Sequence, residues 1–208
     1  MKTQRTIYHI IVDRSGSMAS CKEATINGFN DQLSRIQNME KEFPNQEILV
    51  GLTLFNDEVS HIKILQQAST MAKLNKENYM PDSTTALLDA IGQTTTLIEE
   101  RHAKLPDIPT TYVIVILTDG HENSSMSYNL PQIRDLIQKL ESTGKWTFSF
   151  IGATLDAVHV AEQMSIKAQN SYHFEKASMK EAVWDKLSLS IRDYVSKKEK
   201  GENPSTLF

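Results

Sequence analysis

Three short stretches of this chain are apolar on both sides of the backbone. They read TIYHIIV (6–12), YVIVIL (112–117) and WTFSFIGA (146–153). Each is rich in β-branched or aromatic residues and runs out at an Asp or Gly. A strand apolar on both faces needs cover on both faces. In folded domains that means a parallel sheet held between layers of helices.

The rest of the chain supplies those layers. EILVGLTLF (47–55) reads as a further strand, and NDE then turns the chain into VSHIKIL (59–65). There Val59, His61 and Lys63 face one way and Ile62 and Ile64 the other, as expected for a hairpin ending in a half-exposed edge strand. NSYHF (170–174) is a sixth, weaker strand. Ile26, Phe29, Leu33 and Ile36 recur at spacings of three and four and predict an amphipathic helix over 20–39. The same periodicity predicts helices over 85–103, 130–143, 156–165 and 178–197, with Gly144 as the C-terminal cap of the third.

Strands alternating with helices predict an α/β fold: a doubly wound, mostly parallel six-stranded sheet with one antiparallel edge strand and helices on both faces. Right-handed crossovers favour the strand order 3-2-1-4-5-6, which makes the first and fourth strands neighbours. Winding reverses between them, and open α/β sheets bind ligands there, outside the carboxyl ends of the strands. A single domain is expected over 1–198. The remainder, 199–208, is polar, is broken by Gly and Pro, and is expected to be a flexible tail.

Composition removes several function classes. Lys and Arg total 22 against 26 Asp and Glu, a net charge of -4. A mildly acidic chain with no long basic run is a poor nucleic-acid binder. No stretch approaches the roughly 20 apolar residues of a membrane span. The opening MKTQRTIYHIIV has an apolar run too short for a secretory signal and no small-residue cleavage site. Cys21 is the only cysteine, which excludes an intrachain disulfide and cysteine-based zinc clusters and fits a reducing compartment. A cytoplasmic protein with no nucleic-acid or membrane partner is expected.

Three segments meet at the predicted ligand edge. The first strand ends in Asp13, Ser15 and Ser17. The fourth ends in Thr118, Asp119 and Gly120, and the loop before the second helix carries Thr84 and Thr85. Each alone reads as a helix cap or a turn. Together they offer two carboxylates and several hydroxyls, all hard oxygen donors of the kind Mg2+ prefers; Mn2+ and Ca2+ accept the same set. Alternation puts Ser15 and Ser17 on one side of an extended loop, with Gly16 as the bend. If the hydroxyls bind directly and the aspartates mainly through water, the ion keeps much of its charge and can attract an outside carboxylate.

Here the chain resembles a family. DRSGSM, TTALLDAIG and VIVILTDGHEN resemble the Asp-x-Ser-x-Ser signature, the threonine loop and the fourth strand of the von Willebrand factor type A fold. The likeness spans residues 5 to 195. It implies a Rossmann-like fold and a metal-ion-dependent adhesion site, with Ser15, Ser17 and Thr85 as direct ligands and Asp13 and Asp119 acting through water. It further implies a protein partner that offers an Asp or Glu carboxylate to the metal. Many members carry Gly-Gly where this chain has Ser83-Thr84, so Thr84 is the alternative to Thr85. The compact chain resembles stand-alone intracellular bacterial or phage members.

Met18, Thr84, His121 and Glu122 flank the site and are candidates for a partner-binding rim. For Met18, burial under the following helix is the alternative; for His121 and Glu122, it is a solvated loop. The rival reading is a metal-dependent phosphoryl-transfer enzyme of the haloacid-dehalogenase type. It needs a second acid two residues after Asp13, where Ser15 stands, and the motifs show no phosphate-binding lysine. No catalytic residue is assigned. RSGSM is not a nucleophile elbow, and there is neither a dinucleotide fingerprint nor a P-loop.

Overall fold

The computed structural model describes residues 3–153, 156–202, 204 and 206–208. Six strands, β1 (Gln4–Asp13), β2 (Gln46–Phe55), β3 (Val59–Gln67), β4 (Thr110–Thr118), β5 (Trp146–Gly152) and β6 (Ser171–His173), form one sheet in the order β3-β2-β1-β4-β5-β6. All neighbouring pairs are parallel except β2 with the edge strand β3. The predicted topology is therefore the observed one, and β1 and β4 are direct neighbours, paired from Arg5↔Thr110 to Val12↔Leu117.

Alternation along the strands divides the core in two. Tyr8, Ile10 and Val12 of β1 join Val113, Val115 and Leu117 of β4 on one face, under α1 (Lys22–Glu42) and α5 (Lys186–Glu199). Ile7 and Ile11 join Ile114 and Ile116 on the other, under α2 (Leu87–His102), α3 (Leu130–Ser142) and α4 (Ala157–Gln163). All of these strand residues are fully buried or nearly so, which is the reason the runs could be apolar on both sides. Gly144 follows α3 at a φ of +68°, the left-handed conformation of a helix stop. Cys21 is buried and unpaired, and burial pushes its thiol up to about 11.

Two expectations change. The helix read over 178–197 begins as a π-helical stretch, Lys180–Asp185, before α5. Val183 and Trp184 within it are both buried, and Trp184 lies across Gly28 of α1, where an added Cβ would come within 2.0 Å of the indole. The tail expected to be free over 199–208 ends in packed residues. Leu207 is 5% exposed, its N–H donates to Asn170 Oδ1 at 3.0 Å, and Phe208 lies against Lys186. An apolar Leu-Phe pair at the end of a polar stretch has surface to bury; residues 203 and 205 lie outside the described residues. Among the described residues no helix is long and apolar enough to cross a membrane.

Candidate metal centre

Asp13 continues the odd-numbered face of β1, and Thr118 continues the even-numbered face of β4, so both project to the α2 side. They meet there: Thr118 Oγ1 donates to Asp13 Oδ2 at 2.6 Å. Oδ1 of Asp13 accepts the backbone N–H of Ser15 at 2.6 Å. Burial holds the Asp13 carboxyl above the ordinary aspartate range. The bonds from Thr118 and Ser15 pull it back, and the charge of Asp119 adds a smaller push upward.

The chain after Ser15 departs from the extended loop read from sequence. A 3-10 turn starts at Gly16 and runs to Cys21. Gly16 does not adopt a positive φ; its N–H donates to Ser83 O at 3.1 Å, which fastens this turn to the threonine loop. Ser15 and Ser17 still converge, with their hydroxyls 3.1 Å apart, and Ser17 Oγ donates to Asp119 Oδ1 at 2.5 Å. Ser15 is buried whereas Ser17 is exposed, so the pair runs from the interior to the surface.

Of the two threonines, Thr85 points inward. It is 3% exposed, while Thr84 faces solvent. Thr85 is held from both sides: its N–H donates to Asn123 Oδ1 at 2.9 Å, and Asn123 N–H donates to Thr85 O at 3.0 Å. The next residue, Ala86, donates its N–H to Asn56 O at 2.6 Å. A Cβ built on Gly120 would lie 2.9 Å from Thr85 Oγ1, 3.5 Å from Asp13 Oδ2 and 3.6 Å from Ser15 Oγ. Three side-chain oxygens from two separate segments, the end of β1 and the threonine loop, thus crowd around one point that only a glycine leaves open.

Asp119 completes the cluster. Its side chain is 0% exposed, and the ammonium of Lys176 ion-pairs with Oδ2. Lys176 also donates to Ser17 O at 3.1 Å. Neither Lys176 nor Tyr79 was legible as a site residue. Tyr79, fully buried in the loop between β3 and α2, donates its hydroxyl to Asp13 O at 2.7 Å, and burial pushes its phenol strongly up.

The rim candidates separate. Met18 is 0% exposed and belongs to the core with Cys21, because the 3-10 turn rotates it beneath the loop; it is not a rim contact. Thr84 and His121 are exposed. Glu122 turns inward: Oε1 accepts the N–H groups of Ser124 and Ser125, and Oε2 accepts Leu88 N–H and Ser125 Oγ. A cavity of about 270 Å³ beside His121 and Glu122 is lined by Leu87, Leu88, Leu130 and Val160. A larger groove, about 880 Å³, opens around His102, Thr110 and Lys145, at the opposite edge of the sheet from the oxygen cluster.

The cluster fits a divalent cation on its own chemistry. Every donor is a hard oxygen, and three of them ring the point beside Gly120 that a Cβ would fill. Among the described residues no three His, Cys, Asp or Glu side chains gather as metal ligands, so a metal here depends on the hydroxyls.

Comparison with known proteins agrees with the fold. The chain resembles a von Willebrand factor type A structure from Catenulispora acidiphila, at 15% identity and a TM-score of 0.58, over 94% of this chain and 43% of that one. It thus spans less than half of that chain. Manganese-loaded TRAP protein from Plasmodium vivax matches at 14% identity and a TM-score of 0.57, over 88% of this chain and 72% of that one. The vWF domain of the type V pili tip protein Mfa5 from Porphyromonas gingivalis matches at 9% identity and a TM-score of 0.61, over 93% and 96%. At these identities the likeness shows the fold alone. No curated protein matches by sequence. The model of the von Willebrand factor type A domain matches residues 9–187, and the chain belongs to that family.

Proposed function

We propose that this chain is a protein-binding module whose contact point is a divalent cation. Ser15, Ser17 and Thr85 hold the ion directly, and Asp13 and Asp119 act mainly through water. Mg2+ is the first choice, with Mn2+ or Ca2+ as alternatives. The ion supplies a positive point that an Asp or Glu side chain of a partner protein can reach. The chain's own residues orient the hydroxyls, keep the aspartates buried and leave one side open at Ser17. The observation that carries this is the convergence of Asp13 Oδ2, Ser15 Oγ and Thr85 Oγ1 beside Gly120. A manganese-loaded relative and one at a pilus tip are in keeping with it. A single buried, unbridged cysteine is in keeping with a reducing compartment, and the cytoplasm is proposed on that ground.

Titration calorimetry tests the metal, with one divalent site expected in the wild type and none in Asp13→Ala. Equal binding by the variant would remove Asp13 from the site. Affinity capture from the native cell with and without EDTA tests the partner. Capture that is indifferent to EDTA would move the docking point elsewhere.

One observation bears on phosphoryl transfer. Lys176 supplies a cation beside Asp119 that the motifs did not show. Against it, Asp13 is 0% exposed, and its two oxygens already accept hydrogen bonds from Ser15 N–H and Thr118 Oγ1. Purified protein with Mg2+ is expected not to hydrolyse p-nitrophenyl phosphate. Turnover that Asp13→Asn abolishes would reverse the order of the two readings.

A further inference from the structure

Lys176 comes from a part of the chain that none of the site motifs includes. It lies in the 3-10 turn Lys176–Ser178, which follows β6. From there its ammonium reaches Asp119 Oδ2 and the backbone oxygen of Ser17, 159 residues away in sequence. A surface ion pair would call for no explanation, because both partners would be hydrated. Here the carboxylate is 0% exposed while the lysine side chain is 37% exposed. A buried carboxylate needs a counter-charge, and a half-exposed lysine can deliver one from the solvent side.

We propose that Lys176 is a tethered cation that competes with the divalent ion for Asp119 and so sets how tightly that ion binds. The inference rests on the metal reading above. Asp13 and Asp119 together carry two negative charges. Lys176 offsets one, and a divalent ion offsets both. Lys176 and the ion held together would leave the cluster with a net positive charge and two cations sharing one carboxylate, an arrangement that repulsion in a poorly hydrated pocket disfavours. Lys176 is the one that yields. Its stem is long and partly exposed, and its turn lies at the surface, so it can swing into water. Metal binding is therefore weakened by the free energy of breaking the Lys176–Asp119 pair.

Calorimetric titration with MnCl2, at fixed ionic strength, compares the wild type with Lys176→Met and Lys176→Arg. Lys176→Met is expected to bind Mn2+ about tenfold more tightly, as fits loss of one charge-assisted contact. Lys176→Arg keeps the charge and is expected to stay near the wild type. Thermal unfolding in EDTA is the second readout: Lys176→Met is expected to unfold at a lower temperature than the wild type, and saturating Mn2+ is expected to remove the difference. Mn2+ affinity that is unchanged or weaker in Lys176→Met would overturn the competition, as would equal tightening by Arg and Met. Failure of wild type and variants alike to bind Mn2+ would overturn the metal reading itself, and this inference with it.

Discussion

Thr118 donates its hydroxyl to Asp13 Oδ2 at 2.6 Å, which ties together the carboxyl ends of the two central strands. The same hydroxyl oxygen accepts Gly120 N–H at 3.1 Å. Thr118→Val keeps the side-chain shape and removes both bonds. It leaves a buried carboxylate oxygen and a backbone N–H short of a partner, at a cost of about 1–3 kcal/mol. Urea unfolding should show that loss, and calorimetry should show weaker Mn2+ binding. A variant indistinguishable in both would make the Thr118 contact incidental.

Gly120→Ala tests the cradle. The new methyl would stand 2.9 Å from Thr85 Oγ1, so the threonine hydroxyl must move away from the other oxygens. Gly120 has no positive φ, so the backbone tolerates alanine. We expect metal affinity to fall while the melting temperature in EDTA stays close to that of the wild type. Retained affinity would mean that the ion lies away from Gly120.

Ser83 adopts a φ of +63°, in the left-handed region that favours glycine. Its carbonyl receives Gly16 N–H, so the strained residue also fixes the loop next to the serines. Ser83→Gly should relieve roughly 1 kcal/mol of local strain, less the extra freedom glycine brings to the unfolded chain. A rise in the melting temperature is expected; a clear fall would show that the serine side chain contributes more than its backbone loses.

His9 is expected to contribute to the acid sensitivity of the fold. It is fully buried against Thr53 Oγ1 at 2.9 Å, and burial, with the charge of His61, pushes its pKa from 6.5 down to about 3. The fold thus holds His9 neutral while the unfolded chain takes up a proton below pH 6.5. Stability from this group is complete above that pH and falls as the pH drops toward 3, by roughly 2 kcal/mol between pH 7 and pH 5. His9→Leu should flatten this dependence, and Thr53 keeps bonds to His61 and Thr94. Urea curves for both proteins at the two pH values decide it. An equal acid loss in the variant would place the sensitivity in another group.

What could be read in advance follows the range of the physics. Doubly apolar runs fix a covered parallel sheet, and the order of strands and helices fixes where β1 and β4 end. Asp13, Ser15 and Asp119 lie on or just beyond those ends, Thr85 lies in the loop that leads into α2, and so their meeting was legible. Lys176 and Tyr79 reach the cluster through long side chains from segments without a motif, and spacing carries no trace of such a reach. Met18 was left between rim and core for a local reason. A residue two positions beyond a strand can face either way, and the 3-10 turn beginning at Gly16 decided it.

The oxygen cluster joins β1 to β4 across 105 residues of chain, with the threonine loop drawn in between. Distant pairings of this kind are slow to form and come together only as the sheet closes. An ion seated there has no site on the unfolded chain and little in a half-built sheet. Its effect should therefore fall on escape from the native state, slowing unfolding and leaving the refolding rate nearly unchanged. The cation would act as a latch on a finished structure, measurable as a change in the native state's lifetime.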